Sequence, residues 1–358
     1  MRIKKALFLG TLCTAVSGMS LFAQAGVSYA KSAEKTTEAA SSEEAESEEE
    51  TSEEVTYPIT IEHAFGETVI ESKPERIATI GWENQDTPLA LGVAPVGVSA
   101  ANYGMVTDNN LHPWTDEAFA DLGVEKPVVF DDVDGLDFEQ ISDCNPDVIL
   151  AAYSGMTQED YDTLSQIAPV IPYKEKAWQT SWREQTIENA EGMGMKPEGE
   201  KKVKEVEDLI AEKLEDYPQL EGIPTAFCWI SADDFSTFYV YLPTDPRAAY
   251  LLDLGFTLPE SVQKLAGETD DFNITVSREN ADQLDDIQLM VVYGDEDLLK
   301  SLQEDKLMSQ IPAIKNGAVA LVDSTSALAG ACTPSILSIP YEIDEYLQLL
   351  SDAAENIK

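Results

Sequence analysis

Basic side chains are scarce in this chain. Its 358 residues hold 23 Lys and Arg against 67 Asp and Glu, a formal net charge of −44. A field of that sign repels phosphate backbones, so no nucleic-acid partner is expected. Histidine is scarcer still, with His63 and His112 the two present. A directly bound zinc or manganese ion needs several His and carboxylate ligands from different loops, and a hydrolase needs a base beside its nucleophile. His63 lies in the hairpin-like run ITIEHAFGETVI and His112 in a loop before Pro113-Trp114, so neither serves. The sequence has no Gly-x-Ser-x-Gly elbow, no phosphate loop and no Gly-x-Gly-x-x-Gly after a strand. Gly192-Met193-Gly194-Met195 reads as a helix C-cap. No catalytic residue is assigned, and an enzyme is not expected. Of four cysteines, Cys13 belongs to an N-terminal leader. Cys144, Cys228 and Cys332 match no metal or redox spacing and read as buried free thiols.

The chain as a whole has an ordinary globular composition, 43% hydrophobic and 25% charged, and is long enough for two or three domains. Residues 1–30 read as an export signal: Arg2, Lys4 and Lys5 precede an apolar run, and small-x-small sites follow at Ala23-Gln24-Ala25 and Ser28-Tyr29-Ala30. The run from Ala6 to Ala25 is also about the length of a membrane anchor, so cleavage and retention both stay open. Leu12 stands directly before Cys13 where a lipidation site wants a small residue, which disfavours a lipid. Residues 31–56 carry two lysines, ten glutamates and one bulky aliphatic residue, Val55; they read as a disordered, self-repelling spacer. Subtracting the leader's +3 and the spacer's −8 leaves −39 on residues 57–358.

From Tyr57 onward, compact apolar runs alternate with helical patterns. Strands are expected at 76–80, 95–98, 127–130, 147–151 and 169–172, with helices near 83–91, 115–121, 137–143 and 157–167. That order implies a mainly parallel sheet covered on both faces. At 196–220 the period changes: Val203, Val206, Leu209, Ile210 and Leu214 at 3/4 spacing, opened by Pro197 and closed by Pro218, predict one long helix. Alternation then resumes, with strands at 225–230, 238–241, 289–293 and 318–322 and helices at 246–254, 277–285, 295–302 and 335–352. The expected fold is α/β, two lobes (57–195 and 221–358) joined by a single helix at 196–220.

Open α/β sheets bind ligands beyond the carboxyl ends of their strands. Trp82, Tyr153 and Trp229 fall at such ends, and Tyr103, Trp114, Trp178, Trp182, Tyr239 and Tyr241 lie in or beside connecting segments. Aromatics there give contact area at low entropic cost, with a polar tip for orientation. Beyond the leader the arginines are Arg76, Arg183, Arg247 and Arg278. Arg183 and Arg247 each open a helix and are candidates to clamp anionic oxygens; Arg76 opens a strand and reads as structural.

Several stretches resemble one known family. Lys73-Pro74-Glu75-Arg76-Ile77-Ala78-Thr79-Ile80 with Pro88–Val98 is similar to the opening of the iron–siderophore and cobalamin substrate-binding proteins of ABC importers. Asp137-Phe138-Glu139-Gln140-Ile141 with Asn145–Ala151 resembles that family's helix and strand, and Ala152–Met156, Ile167–Val170 and Trp182-Arg183-Glu184 resemble its ferric-siderophore branch. The likeness runs over roughly 57–355. It implies an α/β protein of two Rossmann-like lobes joined by a single rigid helix, which captures a ferric siderophore in a shallow ligand cleft between the lobes and passes it to a permease. It also implies no cofactor, an exported location in the periplasm or on the outer face of the membrane, and a membrane surface reached through a tether or the permease. A monomer is expected. Glu139 matches the family's permease-contacting acid on the first lobe, and Asp253 in Leu251-Leu252-Asp253-Leu254-Gly255 matches the second, where the family usually carries Glu. The −39 body disfavours a highly anionic ligand and points to a hydroxamate or mixed-ligand siderophore over a tricatecholate. A haem or cobalamin carrier is the alternative within this class, with Tyr153 or Tyr239 as haem ligand. A secreted hydrolase and a surface adhesin are the readings from other classes.

Overall fold

The computed structural model describes residues 55–132 and 135–358. The expected leader at 1–30 and the spacer as far as residue 54 lie outside the described residues. Two short alternating runs form an antiparallel hairpin, β1 (Ile59–His63) and β2 (Gly66–Ile70). Five apolar segments then pair in parallel: β3 (Ile77–Thr79), β4 (Gly97–Ser99), β5 (Val129–Phe130), β6 (Val148–Ala151) and β7 (Val170–Pro172). Every residue of β3, β4, β6 and β7 is buried, which requires cover on both faces. It comes from α1 (Asp86–Ala90), α2 (Pro113–Asp121), α3 (Phe138–Asp143), α4 (Gln158–Leu164) and α5 (Trp182–Gly192). Capping boxes start α4 and α5, where Thr157 pairs with Asp160 and Ser181 with Glu184. The spatial order is β5-β4-β3-β6-β7. Successive connections therefore leave β3 and β6 in opposite directions, and a crevice opens between the loops that follow those two strands.

The long helix α6 (Lys196–Leu214) buries Val203, Val206 and Ile210 along one side. It packs against α5 of the first lobe at Gly199, where a Cβ would come within 2.5 Å of the Ala190 Cβ. The helix stops at Leu214, where its apolar period ends and short of the expected boundary at 220, and a 3-10 turn at Pro218–Leu220 carries the chain into the second lobe. Proline has no amide to continue the ladder.

The second sheet holds β8 (Thr225–Trp229), β9 (Thr237–Tyr241), β10 (Asn273–Ser277), β11 (Leu289–Tyr293) and β12 (Val319–Val322) in the order β10-β9-β8-β11-β12. β8, β11 and β12 are parallel, whereas β9 and β10 run antiparallel at one edge. β10 had no counterpart among the expected strands: Asn273-Ile274-Thr275-Val276-Ser277 is short and buries Val276 alone. The expected helix at 277–285 is a 3-10 turn over Arg278–Gln283. The helices of this lobe are α7 (Pro246–Asp253), α8 (Glu260–Ala266), α9 (Glu296–Glu304), α10 (Pro312–Asn316), α11 (Ala327–Ala331) and α12 (Ser338–Ala354). Cys144, Cys228 and Cys332 are free and buried.

Besides α6, side-chain struts tie the lobes together. Asp86 of α1 is fully buried and accepts from Trp114 Nε1 (2.9 Å) and Thr115 Oγ1 (2.8 Å) of its own lobe and from Ser335 Oγ (2.5 Å) of the other. Arg183 of α5 donates to Asp253 of α7 (2.7 Å) and to Glu207 of α6 (2.6 Å). Lys176 pairs with Asp270, whose carbonyl also accepts from Gln179 Nε2 at 2.9 Å.

Candidate functional site

Trp82 and Tyr153 follow β3 and β6, one on each side of the crevice. Gly81 adopts φ 82°, and a Cβ there would stand 2.7 Å from the Tyr153 carbonyl, so glycine is what lets the two loops touch. Trp82 N donates to Tyr153 O at 3.1 Å. Asn84 Nδ2 donates to the carbonyls of Ile80 (2.7 Å) and Tyr153 (2.9 Å), while its Oδ1 accepts from Tyr153 N at 3.1 Å. Trp178, beyond β7, stands at φ 62°; its amide donates to Ser154 O at 3.2 Å and its ring meets Tyr153 edge to face at 5.3 Å. Gly155 leaves room for that indole.

The second lobe contributes Trp229 at the end of β8, Tyr293 at the end of β11, Tyr241 at the end of β9, Arg247 in the first turn of α7, and Thr333 after α11. With Trp82, Tyr103, Tyr153 and Trp178 they enclose a cavity of about 330 Å³ between the lobes. Tyr103 and Tyr293 meet edge to face across the gap at 5.2 Å. Trp229, 41% exposed, stacks on Tyr239 at 5.5 Å.

The electrostatics of this cavity centre on Arg247. Its Nε and Nη2 donate to the two carboxylate oxygens of Asp245 at 2.8 and 2.7 Å, and its guanidinium lies 4.0 Å over the Tyr241 ring. Asp245 is fully buried and also caps α7 through the Arg247 amide. The cation is thus compensated before any ligand binds, and Nη1 has no protein partner among the described residues. Burial pushes the Tyr103 hydroxyl up to about 12 and raises those of Tyr153, Tyr241 and Tyr293. At neutral pH all four keep their protons and act as hydrogen-bond donors or acceptors. The cavity is aromatic, close to neutral overall, and edged with phenol and guanidinium donors. Such a surface suits an apolar-faced ligand carrying oxygen acceptors.

Of the residues singled out in the sequence, Trp82, Tyr103, Tyr153, Trp229, Tyr241 and Arg247 come together here. Apart from Trp178, the others do not line the cavity. Trp114 is buried behind it, stacked on His112 at 4.5 Å and bonded to Asp86. Trp182 donates from Nε1 to Asp253 at 3.0 Å, and Arg183 turns to Asp253 and Glu207, because this face of α5 meets α6 and α7. Tyr239 backs Trp229 with 40% of its surface exposed. Glu139 is exposed in the first turn of α3, whereas Asp253 is already engaged by Trp182 and Arg183. Tyr293 and Thr333 were missed. Tyr293 ends an expected strand and satisfies the same strand-end rule that found Trp229; Thr333 carried no signal. Trp178, noted among the connecting segments, proves to be a wall. His112 lies outside the cavity, and burial takes its pKa down to about 4. Among the described residues no cluster of His, Cys, Asp or Glu is arranged to hold a metal ion.

Residues 77–325 match the periplasmic binding protein family, and the chain belongs to it. Among solved structures it is similar to Streptococcus pneumoniae TIGR4 PiaA in complex with ferrichrome, at 48% identity over 84% of this chain and 100% of that one, with a TM-score of 0.81. It is also 24% identical over 300 residues to the petrobactin-binding protein YclQ of Bacillus subtilis, covering 81% of this chain and 88% of that protein. Staphylococcus aureus SirA complexed with staphyloferrin B shares the fold at 23% identity and a TM-score of 0.64, over 84% of this chain and 99% of that one.

Proposed function

We propose that this protein works outside the cytoplasm, capturing a ferric siderophore in the interlobe cavity and delivering it unaltered to the permease of an ABC importer. The observation that carries the reading is the aromatic cavity with one charge-compensated arginine. The rim donors suit the carbonyl and N–O oxygens of a hydroxamate complex, and the aromatic walls suit its hydrocarbon outline. A ferric trihydroxamate is near neutral and matches a cavity whose cation is already paired. A tricatecholate complex carries about three negative charges and would be opposed by the −39 body. The 48% identity to PiaA, solved with ferrichrome, supports the same ligand class. A haem role is less well supported: a ligating tyrosine must give up its proton, burial opposes that at Tyr153, and Tyr239 does not line the cavity.

The protein acts as a monomer, and the composition of the acidic segment at 31–56 suits a tether. Glu139 and Asp253 face the permease, Asp253 after exchanging Arg183 for a permease cation. Titration of the purified protein with a neutral ferric trihydroxamate, followed by tryptophan fluorescence, is expected to give saturable quenching. Tight binding of a tricatecholate with no hydroxamate response would overturn the ligand class.

A further inference from the structure

A second cavity of about 310 Å³ lies against the first and shares Trp82 and Trp178 with it as a common wall. It belongs entirely to the first lobe, beyond the carboxyl ends of β3, β4, β5 and β6, where Ile80, Ser99, Asp132 and Ser154 reach it. Its chemistry is opposite to that of the central cavity. Among the described residues no Lys, Arg or His lines it, and two carboxylates do, Asp132 and Asp160. Asp160 is occupied: its Oδ2 accepts from Thr157 N (2.9 Å) and Thr157 Oγ1 (2.7 Å) in the capping box of α4. Ser154 Oγ is turned to the Ala151 carbonyl at 2.9 Å. Asp132 differs. Its carboxyl takes the Ser99 hydroxyl on Oδ2 and is also held by the Asp137 backbone amide, while Oδ1 itself is shielded and makes no hydrogen bond of ordinary geometry among the described residues. Burial raises the pKa of this carboxyl. A buried carboxylate oxygen without a donor is a standing cost that an arriving donor removes.

We propose that this chamber is a second compartment of the ligand site, which takes an ammonium-bearing arm of the siderophore, with Asp132 as the specificity-determining acceptor. The inference rests on the siderophore reading of the central cavity. Arg247 and the tyrosines hold the iron-bearing core, and the arm passes between Trp82 and Trp178, whose ring faces favour a cation beside them. The acidic body works in the same direction, since it draws a cationic ligand toward the cleft.

The test compares a linear ferric trihydroxamate carrying a terminal primary ammonium with its N-acetylated, uncharged analogue, each titrated into the full-length protein. The ammonium form is expected to bind about tenfold tighter, the size of a charge-assisted hydrogen bond. Asp132→Asn should abolish that preference and leave binding of the acetylated analogue unchanged, which also shows that the variant is folded. Glu304→Gln, which removes an exposed charge remote from the chamber, should keep the preference and so separates a local acceptor from the general field. Equal binding of both ligands to the unaltered protein, or a preference that survives Asp132→Asn, would overturn the inference and leave the central site standing. Binding of neither ligand would overturn the reading of the central cavity, and this inference with it.

Discussion

Arg247 is set in place by folding, before any ligand arrives. Asp245, fully buried, takes two of its guanidinium N–H groups and its amide, and the Tyr241 ring lies beneath the guanidinium. Replacing it therefore has two consequences. Arg247→Ala removes a charged donor from the cavity, which should weaken siderophore binding about tenfold in a quenching titration. It also strands the Asp245 carboxylate, which should lower unfolding stability by about 3 kcal/mol in urea denaturation. Arg183→Ala, by contrast, should leave siderophore affinity unchanged, because Arg183 spends its donors on Asp253 and Glu207. The two arginines look alike in sequence, each in the first turn of a helix after a polar cap. Sequence places a residue at a helix start but does not say which neighbour that side of the helix meets, and for α5 the neighbours are α6 and α7. Trp114 is a similar case: its indole found a buried carboxylate 28 positions away in Asp86, a partner no local pattern reveals.

At the scale of elements the sequence was more informative. A continuous apolar run bounded by proline or glycine marks a strand buried on two faces, and β3, β6, β7 and β11 all lie within the spans expected for them. The 3/4 spacing of Val203, Val206 and Ile210 fixed both the existence of α6 and the side it buries. Of the antiparallel edge β9 was expected, whereas β10 was illegible because it buries Val276 alone, so its pattern is weak and its pairing with β9 is long-range. The tight approach of α5 and α6 was also hidden, since a glycine inside a helix pattern does not announce what it packs against. With 2.5 Å between the Ala190 Cβ and the position a Gly199 Cβ would take, Gly199→Val must push the helices apart. The expected loss is about 1–3 kcal/mol, seen as a lowered thermal midpoint, and reducing the partner with Ala190→Gly should restore part of it.

The two lobes are held together by one helix and by struts at Ser335–Asp86, Arg183–Asp253 and Lys176–Asp270. Large rigid-body closure would have to break several of these at once, so the radius of gyration in small-angle X-ray scattering should be the same with and without siderophore. A shift of the size produced by hinge closure would show that the struts yield. A groove that stays ajar cannot imprison what it carries. How long the cargo lingers is then governed by the strength of its contacts alone, and hand-over falls to the importer, which gains a lever wherever it can seize an acid that one half now lends to the other.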